Sequence, residues 1–208
     1  MEKPLHVRQW QAMTIPSPGT YQVDPQHTTV GFVAEHLMVT QVRGRFEDID
    51  ATLHVAEEPL DSFVRASIGT KSLTTGTEER DVHLRSPDFF DVDAYPAMTY
   101  VSRTLRAGDL GSKWMMVNGA MRRRRRHSQS ITAYGDLQIK DITAPLELEV
   151  TIDGIAHDPW GGERLALSAT GRVDREAYDM TWNVALEAGG WLVSKHIRIE
   201  IRAQAIRQ

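Results

Sequence analysis

The chain alternates apolar and polar residues over most of its length. The clearest example lies near the C-terminus, where Ile197, Ile199 and Ile201 alternate with charged residues. Successive side chains of a β-strand point to opposite faces, so this alternation predicts strands with one buried and one solvated face. The same pattern recurs in earlier segments, at residues 30–34, 49–55, 64–68, 146–152 and 165–169.

Turn signals separate these segments, and helical periodicity is scarce. Prolines and glycines mark the turns, which fall at residues 58–61, 107–109, 158–162 and 189–190. The candidate short helices are residues 77–86 and 35–38. Many antiparallel strands with few helices indicate a β-sandwich or a closed barrel, and a barrel of about eight strands can enclose a small ligand. We therefore expect an all-β fold with one or two short helices.

Length and composition narrow the classes of protein. The chain has 208 residues, the length of one large domain or two small ones. It contains no cysteine, which excludes disulfide bonds, thiolate metal ligands and a cysteine nucleophile. The formal net charge of −4 at pH 7 argues against general nucleic-acid binding.

From its N-terminal residues we expect the chain to carry no targeting signal. They contain no apolar run of signal-peptide length, and no segment of the chain approaches the ~20 apolar residues of a membrane span. We therefore expect a cytoplasmic protein. Because Pro4, Pro16 and Pro18 interrupt any regular pattern, residues 1–19 are predicted to be an irregular N-terminal lead.

Short motifs follow one another in a fixed order from residue 21 onward. They are Tyr21-Gln22-Val23-Asp24-Pro25, Glu35-His36-Leu37-Met38-Val39, Gly44-Arg45-Phe46, Arg80-Asp81-Val82-His83, Asp88-Phe89-Phe90-Asp91, Gly135-Asp136-Leu137 and Arg175-Glu176-Ala177-Tyr178. Each motif is weak alone, whereas the ordered set is specific. In this order and spacing, about residues 20–206 resemble the YceI-like family, described as polyisoprenoid-binding, lipocalin-like proteins.

The resemblance implies a single elongated, antiparallel, up-and-down β-barrel of about eight strands over residues 20–206. It also implies an apolar tunnel that takes a polyisoprenoid, an isoprenoid quinone or a fatty-acid-like molecule, with no catalytic residue, metal or required cofactor. Because several family members are dimeric, a homodimer is also considered.

Two segments depart from the family pattern. Residues 120–134 look like an insertion that carries five consecutive arginines, which are Arg122, Arg123, Arg124, Arg125 and Arg126. Such a run is typical of an exposed loop, and contact with an anionic membrane surface is the functional alternative. Aromatic residues are not interleaved with the arginines, which argues against a nucleic-acid platform. The second departure is Asp179, which stands near a position where the family usually has glycine.

Large or adaptable apolar side chains are the candidates for the tunnel wall, because a tunnel needs apolar residues that do not fill it. The candidate ligand-binding residues of this kind are Phe32, Phe46, Phe90, Met98, Tyr100, Trp114 and Trp182. His36 and Arg80 are the candidates for orienting a polar head group. The structural alternatives are a filled core and a loop in which Arg80, Asp81 and His83 bond to one another.

Three functions follow from these observations. The leading hypothesis is a non-enzymatic protein that binds, sequesters or transports a long apolar molecule. The first alternative is a cyclase or isomerase that uses the same tunnel, for which His36, Asp81 or Tyr100 would have to converge as acid or base. The second is a dimeric interaction protein with a basic loop for anionic surfaces. No spacing of histidines predicts a metal site.

Overall fold

A computed structural model describes residues 5–11, 13–37, 39–107, 113–117, 120–124, 130–185 and 191–208. Within these ranges the chain forms fourteen β-strands, one α-helix and four 3-10 turns. The strands are β1 (Val7–Trp10), β2 (Met13–Pro16), β3 (Gly19–Val23), β4 (Thr29–His36), β5 (Thr40–Phe46), β6 (Ile49–Val55), β7 (Phe63–Gly69), β8 (Ala97–Ala107), β9 (Lys113–Val117), β10 (Ala120–Arg124), β11 (Ser130–Ile139), β12 (Ile142–His157), β13 (Glu163–Asp174) and β14 (His196–Arg207). The helix α1 is Glu78–Arg85, and the 3-10 turns are Pro25–His27, Pro59–Asp61, Thr70–Ser72 and Arg175–Tyr178.

Eight of the described strands close into a barrel. Their order around it is β3, β6, β7, β8, β11, β12, β13 and β14, and β14 pairs back with β3. Neighbours are antiparallel and follow the order of the chain, with the β4–β5 and β9–β10 hairpins as two excursions. The prediction of an all-β, up-and-down antiparallel barrel of about eight strands is therefore confirmed. Closure removes the exposed strand edges that an open sheet would present.

Strand β14 closes the barrel and also pairs with the β4–β5 hairpin, because its two edges have different partners. One edge pairs with β13 from His196 to Ile206. The other edge pairs with β4 over Arg198 to Arg202 and then with β3 over Ala205 to Arg207. The β4–β5 hairpin therefore extends the barrel wall at the end where β13 finishes and β14 begins.

The N-terminal segment forms a hairpin. Strands β1 and β2 pair with Val7 opposite Pro16 and Trp10 opposite Met13. The expectation of an irregular lead over residues 1–19 is wrong for residues 7–16, because Met13 and Ile15 alternate with polar residues and are buried, at 4% and 3% exposure. Pro16 is the last residue of β2, a position where the missing N–H disrupts no interior strand pairing.

The inserted segment ends earlier than predicted, and part of it is a strand. Residues 130–134 belong to β11 and pair with both β12 and β8, so they are barrel wall. Arg122, Arg123 and Arg124 lie on β10, which pairs with β9 in a separate two-stranded sheet. The predicted loop is therefore a strand at these three arginines, whereas Arg125 and Arg126 lie outside the described residues.

One of the two predicted short helices is present. Residues 77–86 contain α1, whereas Glu35 and His36 are the last residues of β4. The alternation of Val30, Phe32 and Ala34 continues through His36, so strand pairing with β5 extends there in place of a helical turn. None of the helices in the described part of the chain is long and apolar enough to cross a membrane.

Candidate functional site

The barrel encloses an apolar cavity of about 330 Å³. Inward-facing positions of the barrel strands line it in the alternation that the sequence predicts, as on β13, where Leu165, Leu167, Ala169 and Val173 reach the wall. The volume lies at the lower end of the ~300–1,000 Å³ of small-molecule sites.

Small side chains explain why the barrel is not filled. Ala51 on β6 lies directly opposite Ala66 on β7, and both line the cavity. On β14, Ala203 and Ala205 also face inward, opposite Leu167 and Leu165 of β13. The interior of an eight-stranded barrel is only just wide enough for side chains to fill, so alanines leave space for a ligand.

Five of the predicted ligand-binding residues lie on the cavity wall. They are Phe32, Phe46, Phe90, Met98 and Tyr100. Three of them form an aromatic group, in which the ring centroid of Phe46 lies 5.9 Å from that of Phe32 and 5.5 Å from that of Phe90. Their contact with a ligand stays a prediction.

The last turn of α1 and the segment after it cover one end of the cavity. Leu84 of α1, together with Phe89 and Phe90, lines the wall there. The turn that positions the two phenylalanines is held by backbone bonds from Phe89 N to Ser86 O, at 3.0 Å, and from Phe90 N to Leu84 O, at 3.1 Å. Phe90 is a predicted ligand contact, and Phe89 lines the same cavity beside it.

Arg80 does not reach the cavity. Its Nε donates to the Thr75 hydroxyl at 2.7 Å, and Nη2 donates to the Thr75 carbonyl at 3.1 Å and to the Thr77 hydroxyl at 3.0 Å. The guanidinium closes the loop before α1 through oxygens of Thr75 and Thr77, whereas the structural alternative had Arg80 bonded to Asp81 and His83. Contact of Arg80 with a head group stays a prediction.

Asp81 is buried in the same loop. It accepts hydrogen bonds from the Thr75 N–H at 2.8 Å, from the Thr75 hydroxyl and from the Thr74 hydroxyl at 3.0 Å. Burial alone would raise the pKa of Asp81, but these donors outweigh it and hold the pKa below its usual range. A carboxylate stabilised in this way is a loop anchor and not a proton acceptor for a substrate in the barrel.

Three other predicted residues lie off the cavity wall or outside the barrel. Trp182 packs edge-on against His83, with ring centroids 4.6 Å apart, and so lies behind Phe89. His36 is half-buried at the end of β4, where it forms a backbone bridge with Val193. Trp114 lies on β9 in the separate hairpin, and its side chain lies outside the described residues. Trp182 and His36 therefore do not line the cavity, and their contacts with a ligand stay predictions.

Arg175 is the charged residue on the described part of the wall, and the sequence analysis did not select it. It follows β13 at the inward parity of Leu165, Leu167, Ala169 and Val173, which is the signal that could have identified it. The side chain is buried, at 3% exposure. Burial lowers the pKa of Arg175, but a guanidinium stays charged.

The turn after Arg175 folds the chain back onto its guanidinium. Asp174 caps the turn by accepting a hydrogen bond from the Glu176 N–H at 3.1 Å, and Asp179 ends it in the left-handed conformation with φ 57°. The departure from glycine at Asp179 therefore leaves the turn intact, since Asp tolerates this conformation better than most residues. The backbone of residues 180–182 then lies beside Arg175.

Burial also governs the tyrosines of the cavity and its surroundings. Desolvation, with a smaller contribution from Asp136, raises the pKa of Tyr100 and of Tyr178 to about 12. The Tyr100 hydroxyl donates to the Ala133 carbonyl, and the Tyr178 hydroxyl donates to the Leu137 carbonyl, both at 3.3 Å. Among the described wall residues, the titratable side chains are Tyr100 and Arg175, and neither exchanges a proton near neutral pH.

At the opposite end, the N-terminal hairpin lies against the barrel. Ile15 and Pro16 reach the cavity wall. Glu163, at the start of β13, accepts hydrogen bonds from the His6 N–H at 2.8 Å and from the Tyr21 hydroxyl at 3.3 Å, and its carboxylate also contacts the His6 ring. Burial alone would raise the pKa of Glu163, but the donors of His6 and Tyr21 hold it below its usual value near 4.5. This carboxylate fastens the hairpin to the barrel.

Metal-binding side chains do not cluster in the parts of the chain that the structure describes. No group of three or more His, Asp or Glu residues there could hold a metal ion. The cavity wall offers a large apolar surface, a few hydroxyl-bearing side chains and one guanidinium. Such a wall can bind a molecule with a long apolar part and a small polar part.

Comparisons with known proteins agree with this architecture. A model of the YceI-like domain matches residues 21–205. A UPF0312 protein of Staphylococcus epidermidis is 30% identical over 186 residues, which are 88% of this chain and 95% of the relative. A UPF0312 protein of Staphylococcus aureus is 29% identical over 189 residues, with the same coverage.

Solved structures show the same fold. The Burkholderia cenocepacia protein BcnA superposes with a TM-score of 0.65 at 16% identity, covering 88% of this chain and 98% of that protein. A Campylobacter jejuni YceI protein gives a TM-score of 0.60 at 23% identity, over 84% of this chain and 90% of its own. A domain of Saccharophagus degradans, described as polyisoprenoid-binding and implicated in plant cell wall breakdown, gives 0.58 at 13% identity, over 90% and 98%.

Proposed function

This chain belongs to the YceI-like domain family, and on that premise we propose that it binds a long, largely apolar small molecule of isoprenoid or related lipid type inside its barrel. The observation that carries the proposal is the cavity of about 330 Å³, whose wall is predominantly apolar. The Saccharophagus degradans domain of the same fold, described as polyisoprenoid-binding, supports an isoprenoid as the ligand class.

The hydrophobic effect supplies the affinity in this proposal. Each ~100 Å² of apolar tail that leaves water for the cavity contributes about 2.5 kcal/mol before the cost of association. The small residues Ala51, Ala66 and Ala205 leave room for a chain that packs against the surrounding aliphatic side chains. The protein then acts by holding the molecule away from water, as a carrier or a store.

A non-enzymatic role is part of the proposal. An acid–base cyclase or isomerase needs two groups that exchange protons beside the substrate. His36 and Asp81 are both off the wall, and Asp81 is already engaged by Thr74 and Thr75. Tyr100, which is on the wall, has a pKa of about 12 and donates to a backbone carbonyl.

Two measurements test the proposal. Protein purified from its native host is extracted with organic solvent, and the extract is analysed by mass spectrometry; delipidated protein is titrated with farnesol and geranylgeraniol by calorimetry. We expect a co-purified amphiphile and saturable binding with a negative heat-capacity change, the mark of apolar burial. An extract without lipid, together with no saturable binding of either alcohol, would refute the proposal.

A further inference from the structure

The segment between β8 and β11 differs in charge from the rest of the chain. Residues 108–129 contain six lysine and arginine residues and one acid, so they carry a formal charge of +5 at pH 7. The whole chain carries −4, which leaves −9 on the remaining residues. An anionic surface therefore attracts this segment and repels the rest of the protein, and it would orient the molecule with the segment toward the surface.

Basic and apolar residues occupy different ends of the β9–β10 hairpin in this segment. The pairs at its base contain a basic residue each, and they are Lys113 with Arg124 and Trp114 with Arg123. The pairs next to the connection at residues 118–119 are wholly apolar, and they are Met116 with Met121 and Val117 with Ala120. The pair of Met115 with Arg122 lies between the two groups. The hairpin therefore has a basic base and an apolar tip.

This order of residues matches the layers of a lipid bilayer surface. Elements that bind at the interface place their apolar part about 5–10 Å into the boundary of head groups and acyl chains. Basic residues are attracted to anionic head groups, and tryptophan favours the boundary. From Arg122 to Ala120 the strand advances two residues, or about 7 Å. With the arginines at the head groups, the apolar tip would thus reach the outer acyl carbons.

The hairpin also has few strands to stabilise it. β9 and β10 form a two-stranded sheet that is separate from the ten-stranded sheet of the barrel. An isolated two-stranded hairpin is at best marginally stable in water, and burial of its apolar residues stabilises it. A bilayer offers both anionic groups and an apolar phase, whereas a nucleic acid offers phosphates but no apolar phase for the methionines. The residues of the tip therefore favour a lipid surface.

The β9–β10 hairpin leaves the barrel at the end that the N-terminal hairpin covers. Ala107, the last residue of β8, pairs with Ile131 near the start of β11 at this end. The turn between β12 and β13 lies at the same end and carries Trp160, which is 86% exposed. Ile15 and Pro16 of the N-terminal hairpin reach the cavity wall there. A surface bound by the β9–β10 hairpin is therefore close to one end of the cavity.

We propose that the β9–β10 hairpin docks the protein on an anionic lipid bilayer, with its basic base at the head groups and its apolar tip among the outer acyl carbons. This inference goes beyond the proposed function, because it names the surface at which a lipid-like ligand is collected or delivered. Docking does not require a ligand in the barrel. The two proposals can therefore fail separately.

Sedimentation of delipidated full-length protein with lipid vesicles tests the docking. Vesicles of phosphatidylcholine alone are compared with mixed vesicles that contain equal amounts of phosphatidylcholine and phosphatidylglycerol. We expect at least about tenfold tighter binding to the mixed vesicles. Most of this binding should be lost when the salt is raised from about 0.1 M to about 0.5 M, because salt screens the attraction. Equal binding to both kinds of vesicle, or binding to neither, would overturn the docking.

Replacing the three arginines of β10 tests the contribution of charge. Each basic residue near an anionic surface contributes about fivefold in affinity, so the triple variant Arg122→Gln, Arg123→Gln and Arg124→Gln should bind the mixed vesicles about 100-fold more weakly. Because β10 lies outside the barrel sheet, the variant should keep the melting temperature of the wild type.

A matched control removes the same charge from the barrel strands. It combines Arg65→Gln, Arg172→Gln and Arg202→Gln, at exposed positions of β7, β13 and β14. Because these residues lie away from the β9–β10 hairpin in the sheet order, the control should bind the mixed vesicles within about threefold of the wild type. A loss as large as that of the β10 variant would show that net charge, and not the hairpin, governs the binding.

Replacing the methionines of the tip separates a bilayer from other anionic partners. The double variant Met116→Ser and Met121→Ser keeps every charge and should bind the mixed vesicles at least about tenfold more weakly, because less apolar area leaves water. The control is Val39→Ser, at an 80% exposed position between β4 and β5 at the other end of the barrel, and it should bind like the wild type. Full affinity in the double variant, or tighter binding of the wild type to duplex DNA than to mixed vesicles, would overturn the proposal.

Titration of the same preparations with farnesol distinguishes the two proposals. The arginine and methionine variants should bind farnesol as the wild type does, because the altered residues do not line the cavity. Wild-type protein that binds farnesol but no anionic vesicle would refute the docking alone. Protein that binds anionic vesicles but no isoprenoid alcohol would support the docking and count against the proposed function.

Discussion

Replacing Ala51 by leucine should fill part of the cavity and displace the tail of a bound ligand. Ala51 is 7% exposed, lies opposite Ala66 on the neighbouring strand, and faces the cavity. The larger side chain would occupy the space between these two strands. The variant therefore separates the stability of the barrel from its capacity to bind.

The magnitudes follow from the three carbon atoms that leucine adds to alanine. At about 0.8 kcal/mol per buried CH₂, filling the cavity gains up to ~2.4 kcal/mol of stability, and packing strain of about 1–3 kcal/mol offsets much of it. The melting temperature of the ligand-free protein should thus change by only a few degrees, between a fall of about 2 °C and a rise of about 6 °C. Displacing three carbons' worth of ligand contact costs a similar ~2.4 kcal/mol, or about 50-fold in affinity.

Calorimetric titration with farnesol and thermal unfolding of delipidated protein measure the two effects. The matched control is Ala97→Leu, the same substitution at an exposed position of β8 that does not line the cavity. It should change neither quantity. Unchanged farnesol affinity in Ala51→Leu would show that the ligand does not occupy this part of the barrel, and an equal loss of affinity in Ala97→Leu would refute the reasoning from the cavity.

Three further predictions concern the contacts around the site. Because hydrogen bonds from His6 lower the pKa of Glu163 in the folded protein, that residue stabilises the fold above its usual pKa near 4.5, and the contribution is lost as the pH falls. Glu163→Gln should therefore be less stable than the wild type in urea at pH 7, and the difference should shrink in acid; a difference independent of pH would contradict this. Asp81→Asn weakens buried hydrogen bonds and should cost about 1–3 kcal/mol in urea unfolding at pH 7, whereas a loss below ~0.5 kcal/mol would show that the loop does not depend on the carboxylate. Gly135→Ala puts a Cβ 2.5 Å from the Val101 carbonyl oxygen and 2.6 Å from the Tyr100 ring and should lower stability by about 1–3 kcal/mol, and an unchanged melting temperature would show that both the strand and the ring move aside freely.

Local alternation predicted five of the eight barrel strands, β6, β7, β12, β13 and β14, but not β3, β8 and β11. The inward positions of β13 and β14 are the apolar positions of the sequence pattern, because a strand exposes alternate side chains to opposite faces. The hairpin of β1 and β2 escaped prediction, since prolines near it suggested an irregular segment and only its packing on the barrel buries Met13 and Ile15. The packing of this hairpin on the barrel cannot be predicted from local sequence signals.

Some residues of the candidate site could likewise be selected from the sequence, whereas others could not. Phe32 and Phe46 on strands, and Phe90 after α1, could be selected because large apolar side chains are usually buried. The hydrogen bonds of Arg80 could not be predicted, because the sequence shows a charged residue but not the threonine oxygens that occupy its donors. Arg175 was overlooked because an arginine is usually exposed, and only the fold shows that its side chain is buried.

By itself, the sequence determined the all-β class, the alternation of several strands and the family resemblance, all of which depend on the order of residues along the chain. Only the tertiary structure decided that eight strands close, which side chains line the interior, that alanines from different strands meet to leave a cavity, and that Arg175 is buried. The physical reason is that closure, free volume and hydrogen-bond satisfaction depend on residues far apart in sequence, such as Arg175 and Ser194 or Glu163 and His6.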